Sequence, residues 1–489
     1  MPGNRSRPCI CRIGGLGNFI PLCPSQFTFA RRLVPARNKR CYGHLPRQHA
    51  LHARGRLVSA GFDNSIVSRS ALRHIGAAVS DIPSTIYRSR DLSFFVASRF
   101  VANCAMQIQS VAIGWQIYDM VRTPLALGLV GLCQFVPMFL CTLPAGDMAD
   151  RFNQRRVYGV AATMQAVCSA LFLLLTLTVP HTSWPFYVVL ILFGAARGFS
   201  GPSGQSLLPF LVEAEKLPRA ISINSSAFTA AVIAGPALGG FLYALGPQAV
   251  YGLCILGFGS AALIVARLGG RRHVPEPSLA TRLERVAEGI RFVRTRPVVL
   301  GAISLDLFAV LLGGATALLP VYARDILHVG PVGLGFLRSA PAAGAFLVAF
   351  SLTRYQIGRR VGGTMFAAVA VFGLSTIVFG LSTSFPLSLL ALFMLGASDM
   401  VSVNIRSSLI QLATPDAMRG RVSSVNMLFV GASNELGEFE SGTTAALFGT
   451  VPAVVLGGVG TLLVVAVWAK LFPPLRAVDK FSDVAPARG

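Results

Sequence analysis

The chain has 489 residues, 53% hydrophobic and 13% charged, with a formal net charge of +23. Soluble domains carry about 25% charged residues, so this composition excludes an ordinary soluble enzyme of the same length. The positive charge invites nucleic acid as a partner, but its placement argues against that: the basic residues lie in the amino-terminal stretch and in alternate loops, with no basic helix face interleaved with aromatics.

Residues 1–90 carry 15 Lys and Arg against two acids, Asp63 and Asp81, with scattered Pro, Gly and Ser. Three origins fit this stretch: translated sequence upstream of the true start, a disordered cytosolic tail, or a targeting segment. Twelve apolar segments follow, near 92–117, 125–145, 157–179, 185–208, 221–245, 249–267, 298–321, 332–353, 363–382, 386–411, 422–447 and 452–471. Each is close to the ~20 residues that cross a bilayer as helix. The loops after even-numbered segments, with the carboxyl tail, hold 22 Lys and Arg when Arg267 and Lys470 at segment edges are included; the loops after odd-numbered segments hold 2, Arg122 and Arg324. This asymmetry places both termini in the cytoplasm. The expected fold class is an all-α membrane protein with 12 transmembrane helices in two six-helix pseudo-repeats. A six-helix bundle at 91–267 is followed by a linker at 268–297, a second bundle at 298–472 and a cytosolic tail at 473–489. In the linker, Leu283, Val286, Ile290 and Val293 recur at helical spacing, which predicts an amphipathic helix on the inner membrane surface.

A repeat supports the two halves. At an offset of 202 residues, Gly194, Ala195, Ser200, Ser206, Leu207, Arg219, Ser222 and Asn224 match Gly396, Ala397, Ser402, Ser408, Leu409, Arg421, Ser424 and Asn426. The register continues with Gly235 and Gly240 against Gly437 and Gly442, and places Arg197 opposite Asp399. None of the nine cysteines has zinc or disulfide-framework spacing, and His181, His273 and His328 are loop residues without a partner set. No phosphate-binding lysine motif is present. No cofactor, metal or ATP is expected, and the protein is not expected to be an enzyme.

Between the second and third segments lies Gly146-Asp147-Met148-Ala149-Asp150-Arg151-Phe152-Asn153-Gln154-Arg155-Arg156. Read alone, it is a tight polar turn in which Asp150 and Arg151 latch helix ends. Arg155 and Arg156 meet anionic headgroups, and Asn153 tolerates a left-handed backbone. The stretch resembles the G-x-x-x-D-R-x-G-R-R signature loop of the major facilitator superfamily, with Gly146, Asp150, Arg151 and Arg155 in place and Asn153 and Gln154 departing from it. Its second copy is Arg354, Arg359, Arg360 and Val361.

Nine ionisable residues fall within the spans: Arg99, Arg197, Asp306, Arg338, Asp399, Arg406, Glu435, Glu438 and Glu440. Facing lipid they would together cost roughly 20–30 kcal/mol, more than a whole domain's net stability. They are therefore expected to face the protein interior or a wet cavity. Arg338 and Arg406, nearer their span ends, are expected to snorkel. Arg197 is expected to pair with Asp306 or Asp399. Glu435 and Glu438 share a helix face while Glu440 points elsewhere. Neighbouring buried carboxylates hold protons tightly, which suits proton loading, a cationic substrate or a structural ion network.

Two motifs extend the resemblance. Arg197-Gly198-Phe199-Ser200-Gly201 is similar to the superfamily's R-x-x-Q-G, which is linked to proton transfer, with Ser200 in place of glutamine. Gly235-Pro236-Ala237-Leu238-Gly239-Gly240 matches the G-P-x-x-G-G of proton-linked exporters; physically, it is a close-packing and bending element. With Pro124-Leu125-Ala126-Leu127-Gly128-Leu129-Val130-Gly131 and Gly420-Arg421-Val422-Ser423-Ser424, the chain resembles the enterobactin-exporter-like branch. That resemblance implies a monomeric, proton-driven exporter of a small organic compound, siderophore or drug-like, in the bacterial inner membrane. Asp306, Asp399, Glu435 and Glu438 would be its acidic lining. A proton-coupled uptake permease of the same fold, and a non-transporting membrane sensor or scaffold, remain as alternatives.

Overall fold

In hydrocarbon a backbone can satisfy its own N–H and C=O groups only as helix or closed barrel, and the apolar segments resolve accordingly into helices. The computed structural model describes residues 90–151, 153–178, 182–268 and 282–484; the basic stretch before them, residues 269–281 and the last five residues lie outside. The helices are α1 (Arg90–Val121), α2 (Pro124–Arg151), α3 (Gln154–Thr178), α4 (Trp184–Leu207), α5 (Leu217–Tyr243), α6 (Pro247–Ala266), the linker helix α7 (Arg282–Thr295), α8 (Pro297–Leu312), α9 (Gly330–Leu352), α10 (Val361–Leu381), α11 (Phe385–Ala413), α12 (Asp416–Phe448) and α13 (Thr450–Leu471). No strand occurs among the described residues. Ten of the helices are long and apolar enough to cross a membrane. Of the twelve expected spans, the two that fall short of that standard are α1, rich in amides and bearing Arg99, and α12, which carries Glu435, Glu438 and Glu440.

The packing repeats. In the first sextet α1 packs on α5 and α6, α2 on α4, and α3 on α4 and α6; in the second, α8 packs on α12 and α13, α9 on α11, and α10 on α11 and α13. The sextets meet through two equivalent pairings, α2 with α12 and α5 with α9. Both use the repeated glycines. A Cβ on Gly240 of α5 would lie 3.0 Å from the Cα of Gly335 in α9, and a Cβ on Gly442 of α12 would lie 2.7 Å from the Cα of Gly128 in α2. The exporter-type glycine motif and its repeat partner thus hold the same joint on the two sides of the molecule.

These joints lie at one end, where α1 finishes and α2 begins, the end with few basic loop residues. There one apolar cluster spans both sextets, with Val111, Trp115, Tyr118 and Leu127 against Leu318, Leu319, Tyr322, Leu334 and Leu337. At the opposite, basic end the clusters among the described residues stay within one sextet: Leu92, Phe95, Tyr158 and Val265 in the first, and Ala302, Val361, Met365 and Leu409 in the second. The molecule is closed between its halves at the charge-poor end. Widening the glycine joint should reopen it. For Gly442→Val, overpacking of about 1–3 kcal/mol predicts a roughly fivefold to hundredfold rise in the labelling rate of a Val111→Cys thiol by an impermeant maleimide; an unchanged rate would mean the joint does not hold that end shut.

Three local expectations change. The expected span over 298–321 breaks at Gly313, because the Gly313–Gly314 pair disfavours helix and lets α12 approach; a Cβ on Gly314 would stand 2.6 Å from the Gly437 carbonyl. The stretch from Gly146 to Arg156 is mostly helix, with α2 running to Arg151 and α3 starting at Gln154. Asn153 caps α3: its Oδ1 accepts from the Arg155 N–H at 3.1 Å, and its carbonyl accepts from Arg156 and Val157. The linker helix, read from sequence only as an amphipathic surface helix, has a protein partner: Ile290 and Val293 join Val422 and Val425 of α12, and Arg421 pairs with Glu288 at 2.7 Å. Leu283 and Val286 have side chains outside the described residues.

Candidate functional site

Charged side chains inside an apolar bundle must find partners, and here they sort into two groups. The first bridges the sextets. Arg197, midway along α4, donates from Nη1 to Gln134 Oε1 of α2 at 3.2 Å, and its Nη2 lies 3.6 Å from Glu435 Oε1 of α12. The first partner belongs to its own sextet and the second to the other. The distance to Glu435 is that of a loose ion pair rather than a tight hydrogen bond, and both side chains keep some exposure, 25% and 17%. One turn on, the Glu438 carboxylate lies over Gly131 of α2, where a Cβ would come within 3.0 Å of its Oε2. Arg338 of α9 is the cation facing Glu438 and Glu435, and its Nη1 also donates to the Ser110 carbonyl of α1 at 3.4 Å. Two cations and two anions thus gather where the sextets touch. Arg197 crosses to Glu435, Arg338 to the Ser110 carbonyl and Glu438 to Gly131, while Arg338 and the two glutamates belong to the same half. Glu440 is apart from them: Thr444 donates to it at 2.7 Å and Ser441 at 3.5 Å, on its own helix.

The second group lies within the second sextet. Arg406 of α11 pairs with Asp306 of α8, and both are buried. Asp399 and Ser402 of α11 face the same place and, with Asp306, Ala309, Val310, Val369 and Phe372, line a small cavity of about 10 Å³. The expectations of snorkelling for Arg338 and Arg406 and of an Arg197–Asp399 or Arg197–Asp306 pair are therefore corrected: Arg338 turns to α1, Asp306 pairs with Arg406, Asp399 lines the same cavity, and α12 supplies the partner for Arg197. Arg99 belongs to neither group. Its guanidinium lies against Gly204 and Tyr158 at the basic end of the first sextet.

Above the bridging group, at the charge-poor end, Arg324 pairs with Asp119 and stacks over Trp115, 5.5 Å from the ring centroid, and Tyr118 donates to Asp325. Asp119 also holds Arg122 at 3.3 Å. Asp119, Trp115 and Tyr118 come from α1, and Arg324 and Asp325 from the π-helical turn Tyr322–Ile326 after α8, so this too is a link between sextets.

A family model described as transmembrane secretion effector, of the major facilitator type, matches residues 86–488. The chain belongs to this family. Among its relatives is the multidrug efflux pump Tap of Mycobacterium tuberculosis, 28% identical over 397 residues, covering 76% of this chain and 91% of Tap. Another is the enterobactin exporter EntS of Escherichia coli, 26% identical over 372 residues, covering 75% and 88%. Solved structures with the same fold include a bacterial homolog of the lysosomal transporter Spinster, in an inward-facing and occupied conformation (TM-score 0.61, 14% identity, 83% of this chain and 99% of that one). A POT family transporter in complex with 5-aminolevulinic acid also shares it (TM-score 0.63, 11% identity, 79% and 96%). The protein is a multi-pass membrane transporter of major facilitator fold and exporter type.

In this secretion effector the signature-loop residues are placed as follows. Gly146, Asp150 and Arg151 ride the last turns of α2, their side chains outside the described residues. Arg155 donates to the Ala266 carbonyl at 3.4 Å, joining α3 to the end of α6, and Arg156 is exposed. Gly235, Pro236, Gly239 and Gly240 lie along α5; Gly235 and Gly239 face Gln107 and Ile108 of α1, and Pro236 and Gly240 face Gly335 of α9. Gln134, Ser110, Asp119, Arg324 and Asp479 were not singled out from sequence. Asp479 of the carboxyl tail accepts from the Arg360 N–H at 3.0 Å and caps α10, in the place that Asn153 fills for α3. For Gln134 a signal existed: it is an amide in the middle of an apolar run.

Proposed function

We propose that the protein exports a small organic compound, drug-like or siderophore-like, in exchange for protons, by alternating access between its two sextets. On this reading it works as a monomer in the bacterial inner membrane. The bundles at 91–267 and 298–472 are the moving bodies, and both termini lie in the cytoplasm, where Asp150, Arg151, Arg155 and Arg156 meet the inner face. The observation that carries the reading is the Arg197–Gln134–Glu435 arrangement. Arg197 holds one partner in each sextet at comparable reach, so the link across the halves can be surrendered without leaving the guanidinium bare. The Asp119–Arg324 and glycine joints close the outer end while the basic end has no shared apolar cluster among the described residues, as an inward-open carrier requires. The names of two relatives, a multidrug efflux pump and an enterobactin exporter, support the outward direction.

Inside-out vesicles with an acid lumen test this directly. A panel of ethidium and catecholate siderophores should yield a compound that accumulates in the lumen, alkalinising it, and leaks back when a protonophore is added. Accumulation that is indifferent to the protonophore would remove proton coupling. Accumulation only in right-side-out vesicles would make the protein an uptake permease.

A further inference from the structure

We propose that the proton carried by this transporter is held at Asp399, inside the second sextet, and not by the carboxylates between the sextets. The inference rests on the reading of the protein as a proton-coupled exporter and deepens it. Charge counting separates the two groups. Between the sextets, Glu435 and Glu438 are matched by Arg197 and Arg338. Around the cavity, Asp306 and Asp399 share one cation, Arg406, and Arg406 is committed to Asp306. The helices around this layer add nothing to the balance: Asp306 is the ionisable residue of α8, α10 has none, α13 has Lys470 at its far end, and Arg338 of α9 faces α12 and α1. Of the carboxylates within the spans, the half-buried Asp399 and Glu440 are without a cation; Thr444 and Ser441 donate to Glu440, whereas Asp399 has no such donor, and a charge drawn out of water without a partner is readily neutralised.

The cavity selects the neutralising species. At about 10 Å³ it matches the least space a single water needs. Hard metal cations require several oxygen ligands, whereas Asp399 and Ser402 are the lining side chains with oxygen left uncommitted; the other lining residues besides Asp306 are apolar. Ser402 is 2% exposed and its Oγ has no hydrogen-bond partner, and the buried Nε of Arg406 also has none. Asp399, Ser402 and Arg406 stand at i, i+3 and i+7, on one stripe of α11. The Asp399 carboxylate takes one proton from water and becomes a neutral acid beside the Ser402 hydroxyl. When it returns that proton to water on the other side, its restored charge competes with Asp306 for Arg406. That competition gives the second sextet two arrangements, and the proton chooses between them.

Infrared difference spectra of the purified full-length protein in lipid vesicles, taken between mildly acidic and alkaline buffer, read this proton directly. The wild type should show a protonated-carboxyl C=O band that survives at neutral pH. Asp399→Asn should lose that band, and Glu438→Gln should keep it. Asp306→Asn should also lose it, because Arg406 then has only Asp399 to neutralise it; this arm decides the matter even where Asp399→Asn does not insert. Exchanging choline chloride for sodium chloride should leave the band unchanged. A band that persists in Asp399→Asn or in Asp306→Asn overturns the assignment, and so does one that sodium abolishes. The exporter reading fails separately: a wild type that shows the Asp399 band but no protonophore-sensitive accumulation has the proton site without the coupling.

Discussion

Replacing Glu438 by glutamine is expected to abolish transport while leaving the protein inserted and monodisperse. The carboxylate is lodged between α12 and Gly131 of α2 and faces Arg338, which itself crosses from α9 to α1. Glutamine keeps the shape and some hydrogen bonding but removes the charge. Removing the charge deprives Arg338 of a nearby anion inside the bundle, where an uncompensated charge is costly. Each ~1.4 kcal/mol lost from one state and not the other shifts their populations tenfold, so the loss of this charge is expected to bias the carrier to one side. Transport should fall by at least tenfold, one factor of ten for each ~1.4 kcal/mol, and vesicle flux of any compound found in the panel measures it. Flux within twofold of wild type would remove Glu438 from the mechanism.

Arg406→Met should be the most destabilising single change in the second sextet. Arg406 is 3% exposed and its partner Asp306 is 4% exposed, and removing one partner of such a pair costs about 3–5 kcal/mol. The double variant Asp306→Leu, Arg406→Met removes both charges and should recover most of that loss, since well-packed apolar replacements of buried pairs are often neutral. Thermal unfolding in detergent, followed by loss of the monodisperse peak, compares the three proteins. A double variant no more stable than Arg406→Met would show that the pair acts through something other than mutual neutralisation.

The helices were legible because a bilayer imposes length and apolarity on every crossing segment, and the observed bounds of α3, α4, α10 and α13 fall within a few residues of those expected. The ionisable residues were legible for the same reason: a charge in an apolar run is conspicuous. Their partners were not. Which face of α4 meets α12 depends on helix rotation, and Arg197 sits in a run so evenly apolar that periodicity gives no direction, so the sequence left Asp306, Asp399 and the glutamates of α12 all open as its partners. Arg324 was visible only as a loop charge bearing on orientation, and Asp119 was not read at all. Their pairing depends on how the chain continues past the helix break at Gly313, where α12 approaches closely. Asp479 was hidden likewise, since nothing in the carboxyl tail announces that it folds back on α10.

In the proposed alternating access the two sextets rock about the group in which Arg197 reaches Glu435 and Arg338 reaches the Ser110 carbonyl. Spin-label distances across both ends test it most directly, in a variant without native cysteines and labelled at Trp184 and Leu387 for the charge-poor end or at Arg156 and Tyr355 for the basic end. On adding a transported compound, or on lowering the pH, the first distance should lengthen as the second shortens, and Gly442→Val should shift both in that sense without any ligand. Distances that stay fixed at both ends, or that lengthen together, would contradict it.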